Sequence, residues 1–374
     1  MSDYPRGSEW HRWDLHLHTP QTIKNDQFEG QTTEDKWEKF YSDISLYIGD
    51  GSDPAKSIAV VGITDYLSIV NYEKVMCNKR LPNSIKLILP NVEMRILPFG
   101  KKTPINLHCI FNPQIADQIE NRFFSKLKFS YGGSSYSALR AELIRLGKAI
   151  DKIITDDLIA QKKGIENFVL NFDSLSDVFT NDPDLKEKTV IVISNGTNDG
   201  LSGMNANIGD NAQTEAIRQN LNHFSDAFFT SNQSDIDFFL GKKTGTPESQ
   251  VIDECGALKP CIHGSDAHIN SKIFEPKEKR YCWIKADPTF NGLKQILFEP
   301  EERVYIGELK PEEKSDYQVI ESITFIDDKF QEEPIVFSDK LTCIIGGKST
   351  GKSILLHNLA NAIDHKQVDD REKG

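Results

Sequence analysis

The sequence lacks the features of a membrane protein, a secreted protein and a protein that coats nucleic acid. No apolar run approaches the roughly 18 residues that span a membrane. The N-terminal stretch MSDYPRGSEW has neither the basic nor the apolar segment of a secretion signal. Lys and Arg number 44 against 56 Asp and Glu, a net charge of −12, which disfavours non-specific phosphate binding but leaves a local basic groove possible. We therefore expect a cytoplasmic protein with no membrane partner.

Closely spaced cysteine pairs are also missing. None of the six cysteines forms a C-x-x-C pair, and several lie in apolar stretches where a reduced thiol behaves as a small hydrophobe. We expect them to be reduced and structural.

Short apolar runs alternate with polar or amphipathic segments along much of the chain. Seven such runs are WDLHLHT, IAVVGITDY, IKLILPNVEMRI, INLHCIF, TVIVISN, DAFFTSN and CIHGSDAH. This rhythm predicts an α/β fold with β/α units around a mainly parallel sheet or barrel. With 374 residues, the chain is long enough for one large domain and part of a second.

The remaining segments suggest an insertion, a linker and a second domain. Residues 113–188 read as a helical insertion, in which one helix face is predicted from Leu139, Leu143, Leu146, Ile150 and Ile153. Residues 1–307 then form the first domain, 308–318 an acidic linker, and 319–374 the start of another domain with strand candidates ITFID and LTCII.

Potential metal ligands end several of the predicted strands. In a strand, residues two apart share a face, so Asp14, His16 and His18 point one way while Trp13, Leu15 and Leu17 point the other. The same spacing recurs at Asp266 and His268, and further candidates are Asp65, Glu93 and His108. Taken singly, each is better explained by a structural role, as a hydrogen-bonded core histidine or a carboxylate that caps a helix. Jointly, at the carboxyl ends of strands, they predict a metal site.

These residues resemble the polymerase and histidinol phosphatase (PHP) family of metal-dependent phosphoesterases, over roughly residues 9–305. The resemblance implies a distorted (β/α)7 barrel that binds up to three metal ions. It matches the H-x-H motif to His16 and His18, the glutamate that bridges two metals to Glu93, a strand-end histidine to His108, and the last D-x-H to Asp266 and His268.

Two positions depart from the family pattern. Tyr66 stands where the T-D-H motif has histidine, and Asn195 replaces a later strand-end histidine. The resemblance therefore implies one or two ions, the first held by His16, His18, Glu93 and Asp266, the second by Glu93, His108 and, weakly, Asn195. Imidazoles with carboxylates and no thiolate suit Mn, Zn or Fe(II). Asp65 and Arg95 are the predicted catalytic residues, with Arg95 either clamping a phosphate or forming a surface salt bridge.

A second motif near the end of the sequence predicts nucleotide binding. The pattern G-x-x-x-x-G-K-[ST] covers Gly346, Gly347, Lys348, Ser349, Thr350, Gly351, Lys352 and Ser353. It follows a strand candidate and opens a predicted amphipathic helix, so its backbone, Lys352 and Ser353 are expected to hold ATP and Mg²⁺. Only 21 residues follow Ser353, so we expect the chain to stop inside the ATPase domain.

The order of the two domains extends the resemblance. Residues 323–353 look like the start of ABC- and SMC-type ATPases. The sites of those ATPases need a second subunit, so the resemblance implies a homo-oligomer. The combination is similar to TrlF-type PHP-ATPases, some relatives of which are linked to antiphage defence.

Three functions remain open. The first is a nuclease or phosphodiesterase, the second a small-molecule phosphatase of the histidinol-phosphatase type, and the third a non-catalytic nucleotide-sensing module. Residues 120–165 hold nine basic and five acidic residues among aromatic ones, which suits either a single-strand groove or ordinary solvated helices.

Overall fold

The computed structural model describes residues 6–96, 104–195, 212–311, 319–326 and 333–364. Contacts divide the chain into one unit of residues 10–311 and another of residues 1–9 and 312–374. Residues 312–318, most of the predicted linker, lie outside the described residues. The predicted domain boundaries stay a prediction.

The strands and helices alternate along much of the chain. The strands are β1 (Trp10–Leu17), β2 (Ile58–Tyr66), β3 (Leu87–Ile96), β4 (Ile105–Phe111), β5 (Lys128–Tyr131), β6 (Ser134–Ser137), β7 (Val169–Leu170), β8 (Thr189–Ser194), β9 (Ala227–Phe229), β10 (Cys261–Ile262), β11 (Tyr281–Lys285), β12 (Val304–Gly307), β13 (Ser322–Ile323) and β14 (Ile335–Val336). The α-helices are α1 (Thr33–Ile48), α2 (Val70–Asn78), α3 (Arg140–Ile150), α4 (Asp157–Asn167), α5 (Phe172–Asn181), α6 (Pro183–Glu187), α7 (Ala212–Phe224), α8 (Gln233–Phe239), α9 (Glu248–Cys255), α10 (Phe290–Gln295), α11 (Pro300–Arg303) and α12 (Lys352–Ile363).

The main sheet curls into a nearly closed barrel. Its order is β10-β9-β8-β4-β3-β2-β1-β11-β12. A parallel bridge between Leu17 and Ala267 joins the end of β1 to the loop after β10. The backbone N–H of Asp266 also donates to the carbonyl of His16 at 2.7 Å. The fold is thus mixed α/β, with a barrel-like sheet and helices.

The prediction of a mainly parallel sheet fails at two strands. β1 pairs with β2, β2 with β3, β8 with β9 and β9 with β10 in parallel. However, β4 runs antiparallel to both β3 and β8, and β11 runs antiparallel to both β1 and β12. The prediction that His108 ends a strand is therefore wrong. It lies in the middle of β4, directly opposite Glu93 in the register.

The barrel has an apolar floor. One buried cluster takes members from all the barrel strands, among them Leu15, Val60, Leu89, Ile110, Val192, Phe229 and Ile262. Along β3 the face that begins with Leu89 continues with Asn91, Glu93 and Arg95, because side chains alternate across a strand. The polar residues thus lie beyond the apolar floor, towards one end of the barrel.

Strand β1 does not alternate as regularly as its sequence predicts. Its pairing with β2 is irregular between Asp14 and Leu17. Trp13 and Leu15 belong to the floor cluster, whereas Leu17 packs in a second cluster with residues of α1 and α2. The predicted shared face of these three apolar residues is therefore wrong at Leu17.

The insertion is less helical than predicted. A β5–β6 hairpin, a 3₁₀ turn and a π-helical turn precede α3, and β7 pairs with β3. In the predicted helix face Leu143 and Leu146 are buried, but Ile153 lies beyond the end of α3 and is 89% exposed. Asp151 adopts an extended backbone that ends the helix.

In the smaller unit β13 pairs with β14, and α12 begins at the predicted position. The segment LTCII is not a strand, which corrects that prediction. The helix has no buried residue and is largely apolar rather than amphipathic. Among the described residues, no helix combines the length and apolar character needed to cross a membrane.

Candidate metal centre

Two histidines from the end of β1 form the middle of the candidate site. The Nε2 atoms of His16 and His18 lie 3.2 Å apart, and both side chains are almost completely buried. Two ring nitrogens this close, each offering a lone pair, suit ligands that converge on a cation. The H-x-H spacing brings the rings together as the sequence predicts.

Two carboxylates flank these imidazoles. Glu93 Oε2 lies 3.7 Å from the Nε2 atom of His16 and 3.5 Å from that of His18. Asp266 Oδ1 lies 3.3 Å and 3.5 Å from the same two atoms. Glu93 is buried, whereas the Asp266 side chain is 46% exposed and marks the open side of the site.

Two more histidines complete the cluster. The ring of His108 packs edge-on against His16 at 4.6 Å, and its Nδ1 atom lies 3.2 Å from Asn91 Oδ1. The ring of His268 stacks on His18 at 4.0 Å, and its Nε2 atom lies 3.5 Å from Asp266 Oδ1. The antiparallel register of β4 is what turns His108 towards Glu93.

Several of these atoms are buried without a hydrogen-bond partner. They are Glu93 Oε2, His108 Nε2 and His268 Nδ1. Buried polar atoms are nearly always paired, so a group of unpaired atoms in one place indicates a missing ligand. His16, Glu93 and His108, and also His16, His18 and Asp266, each offer ligand atoms within 4.8 Å of one another. The donor set therefore fits one or two divalent cations.

The two groups share His16, but a single imidazole nitrogen cannot bridge two ions. A carboxylate has two oxygens and can, so Glu93 is the better bridge. His16, His18 and Asp266 would then hold one ion and His108 the other, with Glu93 shared between them. The ligand sets predicted from the sequence stay a prediction.

The electrostatics of the cluster favour charged carboxylates and a neutral His108. Burial raises the pKa of Glu93 and of Asp266, but contacts with His16 and His18 outweigh it and hold both well below their usual range. Burial, with the repulsion of His16, lowers the pKa of His108 to about 3. For His18 burial lowers the pKa, yet the nearby carboxylates of Asp266 and Glu93 raise it to about 9. A cation at this place must therefore displace a proton.

Asp65 has a local partner rather than a partner in the cluster. It is buried, and its Oδ1 atom accepts a hydrogen bond from the backbone N–H of Tyr66 at 3.1 Å. Burial raises the pKa of Asp65 to about 6, against the opposing effect of His18. These contacts suit a carboxylate that holds the loop after β2, and its catalytic role stays a prediction.

The three other positions of interest lie next to the cluster. The Tyr66 ring stacks on His18 at 5.2 Å. Arg95 follows Glu93 on the same face of β3, and its buried Nε atom has no hydrogen-bond partner. Asn195 donates its backbone N–H to the carbonyl of Phe229, whose ring contacts His16 and His108, and its buried Oδ1 has no hydrogen-bond partner among the described residues. Its role as a weak ligand stays a prediction.

Sequence reasoning missed residues that support the ligands. Asn91 donates from Nδ2 to the Leu15 carbonyl and to Thr64 Oγ1, both at 2.9 Å, while its Oδ1 lies beside His108. Asn106 donates to Glu93 Oε1 at 2.8 Å. Both sit on the ligand-bearing face of their strands, so the two-residue period around Glu93 and His108 was the available signal.

The predicted nucleotide loop, Gly346–Ser353, is separate from this cluster in the sequence and belongs to the smaller unit. Lys352 Nζ donates to the carbonyls of Gly346, at 2.8 Å, and Gly347. Gly351 has a left-handed backbone with φ 86° immediately before α12. The loop therefore wraps around its lysine at a helix N-terminus, and its nucleotide role stays a prediction.

The basic and aromatic residues of the insertion mostly have structural roles. Phe123, Phe124 and Tyr136 are buried. Arg122 pairs with Asp182 and Asp184, Arg145 with Glu142, and Lys148 with Asp157. Among the described residues this arrangement fits solvated helices better than a single-strand groove.

Comparisons with known proteins add little. No protein-family model matches the sequence. No curated protein matches it. One similar solved structure is a candidate metal-dependent phosphoesterase from Bifidobacterium adolescentis, 14% identical, with a TM-score of 0.35 over 78% of this chain and 97% of that chain. A likeness this distant does not establish a shared fold or a shared function.

Proposed function

We propose that this protein is a metal-dependent hydrolase of phosphate esters. The observation that carries the proposal is the convergence of His16, His18, Glu93, His108 and Asp266, with ligand atoms within 4.8 Å in two overlapping groups. The unpaired Glu93 Oε2 and His108 Nε2 atoms support a cation rather than an internal hydrogen-bond network. Mn, Zn or Fe(II), as one or two ions, suits these ligands.

When bound, such cations supply positive charge for phosphate oxygens and acidify an attacking water. The protein itself contributes geometry and charge. Glu93 and Asp266 keep their negative charge in a buried site, because their pKa values are depressed. His108 stays neutral and is oriented by Asn91. These outer contacts fix how the ligands face the cation.

Arg95 supplies a contact to substrate in this proposal. Its guanidinium follows Glu93 on the same face, and the buried Nε atom lacks a partner. An unpaired buried guanidinium nitrogen is costly, and a phosphate oxygen satisfies it with a charge-assisted hydrogen bond. The apolar floor formed by Leu89 and its neighbours excludes water from below the cluster.

Within this class we propose a phosphodiester of nucleic acid as the substrate, with the activity coupled to ATP and Mg²⁺ bound by Gly346–Ser353 in the intact protein. This finer part rests on the sequence motifs and their resemblance, as does a role in antiphage defence and assembly as a homo-oligomer. The wrapping of the loop around Lys352 at the start of α12 supports the nucleotide part.

The test is to incubate the purified chain with Mn²⁺ and labelled single-stranded DNA, RNA or a phosphomonoester. The proposal expects diester cleavage that EDTA abolishes and that His16→Ala removes. Release of phosphate from the monoester alone would replace the nuclease with a small-molecule phosphatase. Inactivity of a chain shown to hold metal would indicate a non-catalytic module.

A further inference from the structure

We propose that Lys24, together with Arg95, forms a phosphate-binding position beside the ligand cluster that engages a second phosphate group of the substrate. This inference rests on the proposed function and specifies its substrate, since only a molecule with several phosphates uses such a position. A nucleic acid strand is the substrate class that it fits best.

The first observation is the location of Lys24 in the loop after β1. Its Nζ atom lies 4.6 Å from the centre of the Tyr66 ring. That ring stacks on His18 at 5.2 Å. The ammonium group of Lys24 thus contacts the ring of Tyr66, and Tyr66 in turn contacts the imidazole of His18. Lys24 therefore lies beside the candidate metal ligands and is not one of them.

The second observation is that a second positively charged side chain, Arg95, lies near Lys24. Arg95 lies close enough to Lys24 that, after burial, its charge is the main influence that lowers the pKa of Lys24, to about 8. Glu93 and Glu166 oppose this shift from nearby. Among the described residues Lys24 has no ion pair within 4.0 Å, in contrast to Lys36 and Lys148.

Lys24 and Arg95 are both partly buried, and within the described part of the chain neither forms an ion pair, so each can attract an anion. The Arg95 Nε atom is buried and unpaired, which gives the position a donor that a phosphate oxygen would satisfy. The carboxylate of Glu93 faces the cluster and not Lys24. Its Oε1 atom accepts from Asn106, and its Oε2 atom lies beside His16 and His18. A phosphate at Lys24, beside one at the cluster, gives Lys24 and Arg95 the anionic partner that they lack among the described residues.

The chain offers a matched control for Lys24. Lys74 Nζ also lies over an aromatic ring, 4.5 Å from the centre of Trp37, and donates to Gln21 Oε1 at 2.8 Å. Lys74→Ala therefore removes the same charge and the same kind of ring contact from a lysine that already has a partner.

The test measures binding of a fluorescent single-stranded oligonucleotide to the full chain in EDTA, where no cleavage occurs, over a range of salt concentrations. Lys24→Ala is expected to weaken binding about tenfold, as for loss of one charge-assisted contact. It should also reduce the slope of log affinity against log salt by about 0.7, the value for one phosphate on a single strand. Lys24→Arg should retain both properties, and Lys74→Ala should change neither.

A second arm compares hydrolysis of the strand with that of bis(4-nitrophenyl) phosphate, which has one phosphate. Lys24→Ala should lower the ratio of kcat/KM for the strand to kcat/KM for the ester by about tenfold. An equal loss on both substrates would overturn the second-phosphate position, as would no strand binding by the unaltered chain, or equal effects of Lys24→Ala and Lys74→Ala. If neither substrate is hydrolysed, the proposed function fails while the binding series still decides the role of Lys24.

Discussion

Replacing Glu93 with glutamine tests the bridging role of its carboxylate. Glutamine has nearly the same shape, and its amide oxygen accepts the Asn106 hydrogen bond that Glu93 Oε1 accepts at 2.8 Å. The main loss is the charge of Oε2, which lies 3.7 Å from His16 Nε2 and 3.5 Å from His18 Nε2. We therefore expect Glu93→Gln to fold but to bind divalent cations poorly.

The magnitude follows from linkage between binding and folding. A cation at 100 times its Kd stabilises the folded chain by about 2.7 kcal/mol, which for a domain of this size raises Tm by about 5 °C. Loss of a bridging ligand that weakens binding about 100-fold removes nearly all of this rise. Scanning fluorimetry of EDTA-treated protein, with and without added Mn²⁺ or Zn²⁺, measures it directly.

Glu38→Gln is the control, because Glu38 is an exposed carboxylate that pairs with Arg80. Glu38→Gln should show the same cation-induced rise in Tm as the unaltered chain. If Glu93→Gln also kept the full rise, the bridging role of Glu93 would be refuted.

Three further predictions concern the surroundings of the site and the insertion. Asn91→Ala removes hydrogen bonds to Leu15 and Thr64 and the orienting contact with His108, so the free energy of unfolding should fall by about 2–4 kcal/mol in urea denaturation; an unchanged midpoint would contradict it. Gly264→Ala places a Cβ atom 2.4 Å from His16 N and 2.8 Å from Asp14 Oδ1, so the backbone that carries His16 must move. The metal content of the variant should therefore fall, and a variant that binds metal normally would count against this packing. Arg122 lowers the pKa of Asp182 through a hydrogen bond, so the Tm advantage over Arg122→Leu should be present at neutral pH and be lost as pH falls below about 4; a difference that persists in acid would contradict the ion pair.

The sequence predicts which side chains come together, but it does not predict the direction of the strand that carries His108. IAVVGITDY has the same bounds as β2, and the H-x-H spacing brings His16 and His18 together. INLHCIF reads the same whichever way the strand runs, because alternation has no direction. The antiparallel pairing of β4 depends on contacts made by the neighbouring strands, which local patterns do not record.

Two other differences have local physical causes. The 3–4 spacing that includes Ile153 continues past α3, but Asp151 adopts an extended backbone and ends the helix first. LTCII has the composition of a strand, yet a strand needs a partner, and in the described part of its unit the paired strands are β13 and β14. Buried Asn91 was missed because composition rules place asparagine at the surface.

Side chains from β1, β3, β4 and the loop after β10 jointly bind divalent cations in the function that we propose. Elemental analysis of metal per chain, after metal loading and removal of unbound ions, tests this for the unaltered protein and for His16→Ala. We expect one or two bound ions per unaltered chain and a clear loss in His16→Ala. A folded, unaltered chain that holds no metal under these conditions would refute the metal site.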